Sequence, residues 1–256
     1  MRPAAGRGRG DGLVQAAGWM ALIVALAGLC YLFFVQTSYH YRWESIADYR
    51  KPLFLGWLAT LGLAAASLAA SSVIGLLTTL GRRSRIGSLR FVCGAYVELA
   101  RGTPLLVQIL VGFYLVFDRV GIRDKWIAGV LILSFFAGAY LSEIFRAGIQ
   151  SVARSQLDAA RAVGFNAWQT YRFVIVPQAF RNALPAVTGQ FANLIKDSSL
   201  LSVIGVLEFT KQAESANAAT YSTFEVYLPL ALGYLALTIP IFWLARWMEG
   251  RLHFQT

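Results

Sequence analysis

The sequence predicts an all-α, polytopic membrane protein with about six transmembrane helices, and three observations carry that reading. Hydrophobic residues make up 57% of the chain and charged residues 14%, too apolar a balance for the water-facing surface that a soluble domain must keep. The apolar residues are gathered into runs long enough to cross a hydrocarbon layer, which takes roughly 20 residues of helix. Those runs are continuous rather than alternating with period two, which excludes the strands of a membrane barrel. A chain of 256 residues so occupied is expected to form a single domain of packed helices, without a second globular one.

The first run covers residues 13–35, behind a basic tail (1–12) that contains Arg2, Arg7 and Arg9. It is too long for the apolar core of a signal peptide. Leu29 separates Gly28 from Cys30, which spoils a lipoprotein cleavage box, so a retained helix is expected here. Further runs centre on 53–80, 89–117, 126–149, 182–206 and 225–247. An even number of crossings puts both termini on one side. The N-terminal tail, the 81–90 connection (Arg82, Arg83, Arg85, Arg90), the 150–181 connection (Arg154, Arg161, Arg172, Arg181) and the C-terminal tail 251–256 share that face, while the opposite loops are mixed or acidic. By the positive-inside rule the Arg-rich face is cytoplasmic. Tyr39, Tyr41, Trp43, Tyr49, Trp126, Trp243 and Trp247 fall near the ends of the runs, at the headgroup level that amphipathic rings prefer.

The net charge of +10 does not indicate nucleic acid, because the basic residues lie between apolar segments instead of gathering on one folded face. No catalytic set is found. His40 and His253 sit on opposite sides in this topology, and Cys30 and Cys93 lie within apolar runs without neighbouring ligands, so neither a metal nor a cofactor is expected. There is no Gly-x-x-x-x-Gly-Lys-Ser/Thr phosphate loop, so any nucleotide is bound by another polypeptide.

The 150–181 connection is the most informative segment. Ser155 to Val163 holds good helix formers, with Asp158 expected in the first turn and Gly164 where a left-handed C-terminal cap falls. Asn166 and Gln169 form a capping-box pattern before Trp168, Tyr171 and Phe173, and Pro177 is expected to stop this second helix. Two short helices with an aromatic face, too short and too charged to cross a bilayer, make a knob suited to docking a soluble partner.

These residues resemble the cytoplasmic signature of the permease family of ATP-binding-cassette importers: Glu-Ala-Ala, three residues, Gly, nine residues, Ile, any residue, Leu-Pro. Here Asp158, Ala159, Ala160, Gly164, Val174, Val176 and Pro177 stand at that spacing, with Asp for Glu and Val for both Ile and Leu. Glu98 to Gln108, Ala139 to Ser151 and Gln190 to Val206 resemble the polar-amino-acid branch, and the similarity runs over about 53–250; the segment 13–52 lies outside the common core. The resemblance implies a bacterial inner-membrane permease that imports polar or charged L-amino acids. It further implies two ATPase subunits, a second permease (a copy of this chain or a paralogue) and an extracytoplasmic solute-binding protein. In such a system Asp158, Ala159, Ala160, Gly164, Trp168, Tyr171 and Pro177 make contacts to the ATPase rather than chemistry.

Charged groups inside spans are costly and line a pathway or pair with one another. Glu98 with Arg101, and Glu143 with Arg146, have helix-neighbour spacing. Gly102 and Pro104, flanking Thr103, break the helix just after the first pair, which suits a kink beside an aqueous path. Lys196, Asp197, Ser198 and Ser199 interrupt the fifth run. Glu143, Lys196 and Asp197 are expected to recognise a zwitterion, with interhelical pairing as the alternative role. A gradient-driven carrier or a membrane scaffold subunit is the competing function class; no internal repeat of the carrier kind is seen.

Overall fold

A computed structural model describes residues 40–252 continuously, together with scattered helical positions between 18 and 31. The basic tail, most of the 13–35 run including Cys30, Tyr39 and residues 253–256 with His253 lie outside the described residues. The chain divides into two units, Met1–Arg42 and Trp43–Thr256. In the second unit the described regular structure is helical throughout.

A 3₁₀ segment, Trp43–Tyr49, runs directly into the long helix α1 (Arg50–Arg82). The expected boundary at residue 53 therefore falls inside a continuous helical stretch. Ile46, Tyr49 and Leu53 pack together on the buried Ala213, Ala216 and Val226, which ties the 3₁₀ segment to the larger unit. Next come α2 (Gly87–Gly102) and α3 (Leu105–Val111), the latter continued by a π-helical turn, Gly112–Phe117. The expected single run 89–117 is thus a pair of helices bent by 109°, because Thr103 and Pro104 are extended and the proline cannot continue the helix.

α4 (Lys125–Gln150) starts on Asp124, whose carboxylate accepts from the amides of Trp126 and Ile127. α5 (Arg154–Ala162) comes after it, then a turn at Ala167–Gln169, a π-helical turn Thr170–Ile175, α6 (Val176–Asp197) and a 3₁₀ segment Ser198–Ile204 that ends on Gly205 at φ 79°. α7 (Phe209–Thr220) and α8 (Thr223–Leu252) complete the described chain. Among the described residues α4, α8 and the Trp43–Arg82 stretch are each long and apolar enough to cross a membrane, and the bent pair passes the same test taken together.

α1 and α4 pack side by side and run the same way. Ser134 donates towards the Ser67 carbonyl, Thr79 donates to the Ser142 carbonyl (3.1 Å), and Arg82 pairs with Glu143, so the register advances together along both helices. Small residues allow this approach: a Cβ on Gly75 would sit 2.8 Å from the Leu141 Cβ, and one on Gly138 2.7 Å from Ile74. α6 and the 3₁₀ segment after it run antiparallel to α4, with Gly129 against Leu201 of that segment at one end and Gly148 against Ala179 of α6 at the other. The core between these helices and α3 is aliphatic, built on Leu63, Ile109, Leu133, Leu194 and Leu201.

At the end of the bundle away from α5, Glu208 is fully buried. Its carboxylate accepts from the amides of Thr210 and Lys211 and from the Tyr234 hydroxyl (3.0 Å), capping α7 and fastening it to α8. Burial pushes the Glu208 carboxyl above its usual range, and these donors oppose that shift. Sequence patterning treats Glu208 as a loop residue; its sign as a cap is the acid standing immediately before the helix-forming run Phe209–Thr220.

Candidate functional site

The segment from Arg154 to Ile175 protrudes at the Arg-rich end of the bundle. α5 closes by a left-handed cap: Gly164 has φ +83°, its amide bonds to the Arg161 carbonyl, and the Phe165 amide reaches back to the Ala160 carbonyl. Asp158 lies beyond the first turn expected for it and forms an exposed ion pair with Arg161 (3.0 Å). Ala160 is buried, which fixes the inner face of α5.

The expected capping box is present in full. The Asn166 side chain accepts from the Gln169 amide and the Gln169 side chain accepts from the Asn166 amide, each at 2.9 Å. Beyond the box, the backbone departs from the expectation of a second short helix stopped by Pro177. The chain passes through the Thr170–Ile175 π turn straight into α6, and Pro177 sits in the first turn of that helix. A proline is tolerated there because it lacks only an amide that the first turn leaves unpaired. The second arm of the knob is therefore the tip of α6 itself, a helix that carries Pro185 in its interior.

Apolar side chains cover the knob. Val163 is 71% exposed, Trp168 68% and Phe173 58%, and Phe173 meets Trp168 edge-on and Phe165 at a tilt. Tyr171 turns inward to line an apolar groove of about 400 Å³ with Leu76, Phe145 and Ala183. The knob thus carries an exposed aromatic face on a backbone closed by the Gly164 cap and the Asn166–Gln169 box.

Inside the bundle, the expected Glu143–Arg146 pair forms (3.0 Å from Nε, 2.5 Å from Nη2), and Arg82 of α1 joins it on the other carboxylate oxygen. Arg146 also donates to Gln150 (2.8 Å). Arg82, which patterning assigns to a connection, is the missing member of this cluster.

Glu98 and Arg101 do not pair with each other. Both are exposed, and Arg101 lies 5.4 Å over the Tyr140 ring. At the bend, Gln108 takes up the carbonyls freed by Gly102 and Pro104: its amide nitrogen reaches the Ala100 carbonyl (2.7 Å) and the Thr103 carbonyl and hydroxyl (3.1 and 2.8 Å).

The polar interruption at Lys196–Ser199 coincides with a change of helix type. α6 ends at Asp197, Ser198 is buried and bonds the Ile195 carbonyl, and Ser199 bonds the Lys196 carbonyl. Lys196 does not pair with Asp197; its ammonium lies 5.4 Å over the Phe242 ring. The register of α4 against α6 places Glu143 about nine residues from the level of Lys196, or about 14 Å along the axis. Glu143 therefore does not form one site with Lys196 and Asp197.

The family described as binding-protein-dependent transport system inner membrane component matches residues 71–254. The probable glutamine ABC transporter permease protein GlnM of Bacillus subtilis is 38% identical over 77% of this chain and 91% of its own length. The glutamine transport system permease protein GlnP of Escherichia coli is 32% identical over 83% of this chain and 98% of its own. Among solved structures, a chain from the crystal structure of an amino acid ABC transporter with histidines superposes with a TM-score of 0.77 at 35% identity, covering 83% of this chain and all of that one.

Proposed function

The chain belongs to the binding-protein-dependent transport system inner membrane components, the membrane permease subunits of ATP-binding-cassette importers, and we propose that it imports polar L-amino acids by coupling its Arg154–Ile175 knob to a separate ATPase. It is a multi-pass membrane protein and not an enzyme: hydrolysis belongs to a partner subunit. In this reading two ATPases, a second permease and an extracytoplasmic solute-binding protein complete the machine, and the Arg-rich end with both termini faces the cytoplasm.

The observation that carries the proposal is the knob: an exposed aromatic face on a helix tip that continues unbroken into α6. A partner that moves Trp168 and Phe173 moves α6, and with it the polar step at Lys196–Ser198. Transport needs this mechanical link and no reactive group. The names of the relatives favour glutamine and kindred side chains as substrate. Lys196 and Asp197 are suited to a zwitterion, the cation towards the carboxylate and the acid towards the amine. Glu143 has no part in that recognition because its carboxylate is shared by two arginines. Thr103 and Pro104 shape the bend that opens a path beside Glu98 and Arg101.

The test is uptake of labelled glutamine into proteoliposomes holding the permease, its ATPase and its binding protein. Uptake is expected to require ATP and the ATPase and to be competed by other polar L-amino acids. Uptake without the ATPase, or driven by an ion gradient, overturns the reading. Lys196→Met and Asp197→Asn complexes are expected to lose substrate affinity, and an unchanged affinity and preference sinks the recognition role.

A further inference from the structure

α2 presents a face that nothing in the larger unit covers. Phe91 (75% exposed) shares it with Glu98 and Arg101, at the spacing of one helix side, and Gly94 and Gly102 on the same side have open space before them. This face carries an acid and a base, Glu98 and Arg101, that make no ion pair with any described residue.

The depth of these charges excludes lipid as their neighbour. Arg101 sits on Tyr140, ten residues before the end of α4, or about 15 Å along that helix and within its apolar run. A carboxylate and a guanidinium exposed at that level need protein or water opposite them.

The orientation of α2 says which. Tyr96 donates to the Phe135 carbonyl (2.5 Å), Val97 and Ala100 pack on Ala139, and Arg101 lies over Tyr140. At the near end, Cys93 rests on Gly81 of α1, one residue before the arginine that pairs with Glu143. α2 therefore crosses α1 and α4 instead of running beside them. A two-fold axis along the bundle is then steeply inclined to α2 and is able to pass beside its open face, between the helix and its copy.

We propose that this face of α2 packs against the same face of a second copy of this chain, with Glu98 of each copy paired to Arg101 of the other. In a two-fold contact residue i meets j and j meets i. A patch bearing one charge of each sign is self-complementary under that operation. The axis falls midway between 98 and 101, while Leu99 and Ala100 point to other sides of the helix. The charges lie one turn from the bend at Thr103–Pro104, so the pairs close the path between the two permeases when formed and open it when the copies rock apart. This inference rests on the reading of the chain as one half of a permease pair.

Charge reversal distinguishes pairing between copies from pairing within one. Glu98→Arg and Arg101→Glu are each expected to reduce ATP-driven uptake at least tenfold when expressed alone. Co-expressed with distinguishable tags and purified through both, the two variants are expected to recover at least half of wild-type uptake, because each cross-pair again joins opposite signs. Within one chain both variants keep like charges, so absence of rescue in complexes that assemble with their ATPase overturns the proposal. Folding is kept apart from function by co-expressed Glu98→Cys and Arg101→Cys chains in a background without Cys30 and Cys93. A disulfide that bridges the two chains on mild oxidation is expected, and chains that stay unbridged in assembled transporter also overturn it. Wild-type uptake that is ATP-driven while these tests fail removes this contact and leaves the permease assignment intact.

Discussion

Glu143 shows how much one carboxylate can organise. Its two oxygens are divided between Arg82 and Arg146, and its side chain is only 20% exposed, so solvent takes over only in part if a partner is removed. Glu143→Gln leaves two guanidinium groups facing each other, and the expected cost is about 1–3 kcal/mol, below that of a fully buried pair because part of the cluster meets solvent. Arg82→Gln leaves the Arg146 pair intact and is expected to cost under about 1 kcal/mol. Thermal unfolding of the detergent-solubilised protein, followed by loss of the monodisperse peak, checks that order; equal losses refute the shared-carboxylate account. The i,i+3 spacing of Glu143 and Arg146 made their half of the cluster legible in the sequence. Arg82 was not, because 61 residues separate it from Glu143 and only the parallel register of α1 and α4 joins them. The same limit explains Glu98 and Arg101: spacing permits a pair, and the Tyr140 ring draws the arginine away.

At the scale of elements, the knob was readable where its signals are local and opaque where they are not. Gly164 and the Asn166–Gln169 box act within a few residues, and both caps form as the pattern predicts. The π turn at Thr170–Ile175 has no comparable signature, and it turns a helix stop at Pro177 into a helix start. Two substitutions separate the scaffold of the knob from its contact face. Gly164→Ala meets no neighbouring atom, so its cost is that of forcing φ +83° on a side-chain residue, about 1 kcal/mol. It is expected to fray the end of α5 and weaken ATPase binding in proportion. Trp168→Ala removes an exposed ring and is expected to leave thermal stability unchanged while lowering ATPase binding at least tenfold. Pull-down of the ATPase subunit by the solubilised permease reads both; wild-type binding by Trp168→Ala removes the aromatic face from the docking surface.

For the whole molecule, the seam between α1 and α4 decides which parts are able to move against each other. It is lined by Ser67, Ser71, Gly75, Thr79, Ser134, Gly138 and Ser142, buried small residues that bring the two backbones together. An interface so close has no room to slide: Gly138→Val would drive its side chain into Ile74 and the Tyr96 hydroxyl, an overpacking that costs about 1–3 kcal/mol. With the Arg82–Glu143–Arg146 cluster closing one end, α1 and α4 form a single body. Composition and charge made the membrane bundle legible, but not this seam, because serines and glycines in an apolar run look the same whether they face lipid or another helix. On the proposed reading alternating access then occurs between such bodies and not within the seam. A covalent tie tests this directly. Ser67→Cys with Ser134→Cys, in a background without Cys30 and Cys93, is expected to form a disulfide and to leave ATP-driven uptake within about twofold of the reduced protein, since a contact that never opens loses nothing when it is locked. Uptake abolished by oxidation and restored by reduction would show instead that α1 and α4 part during the cycle, and that the gate lies inside each permease.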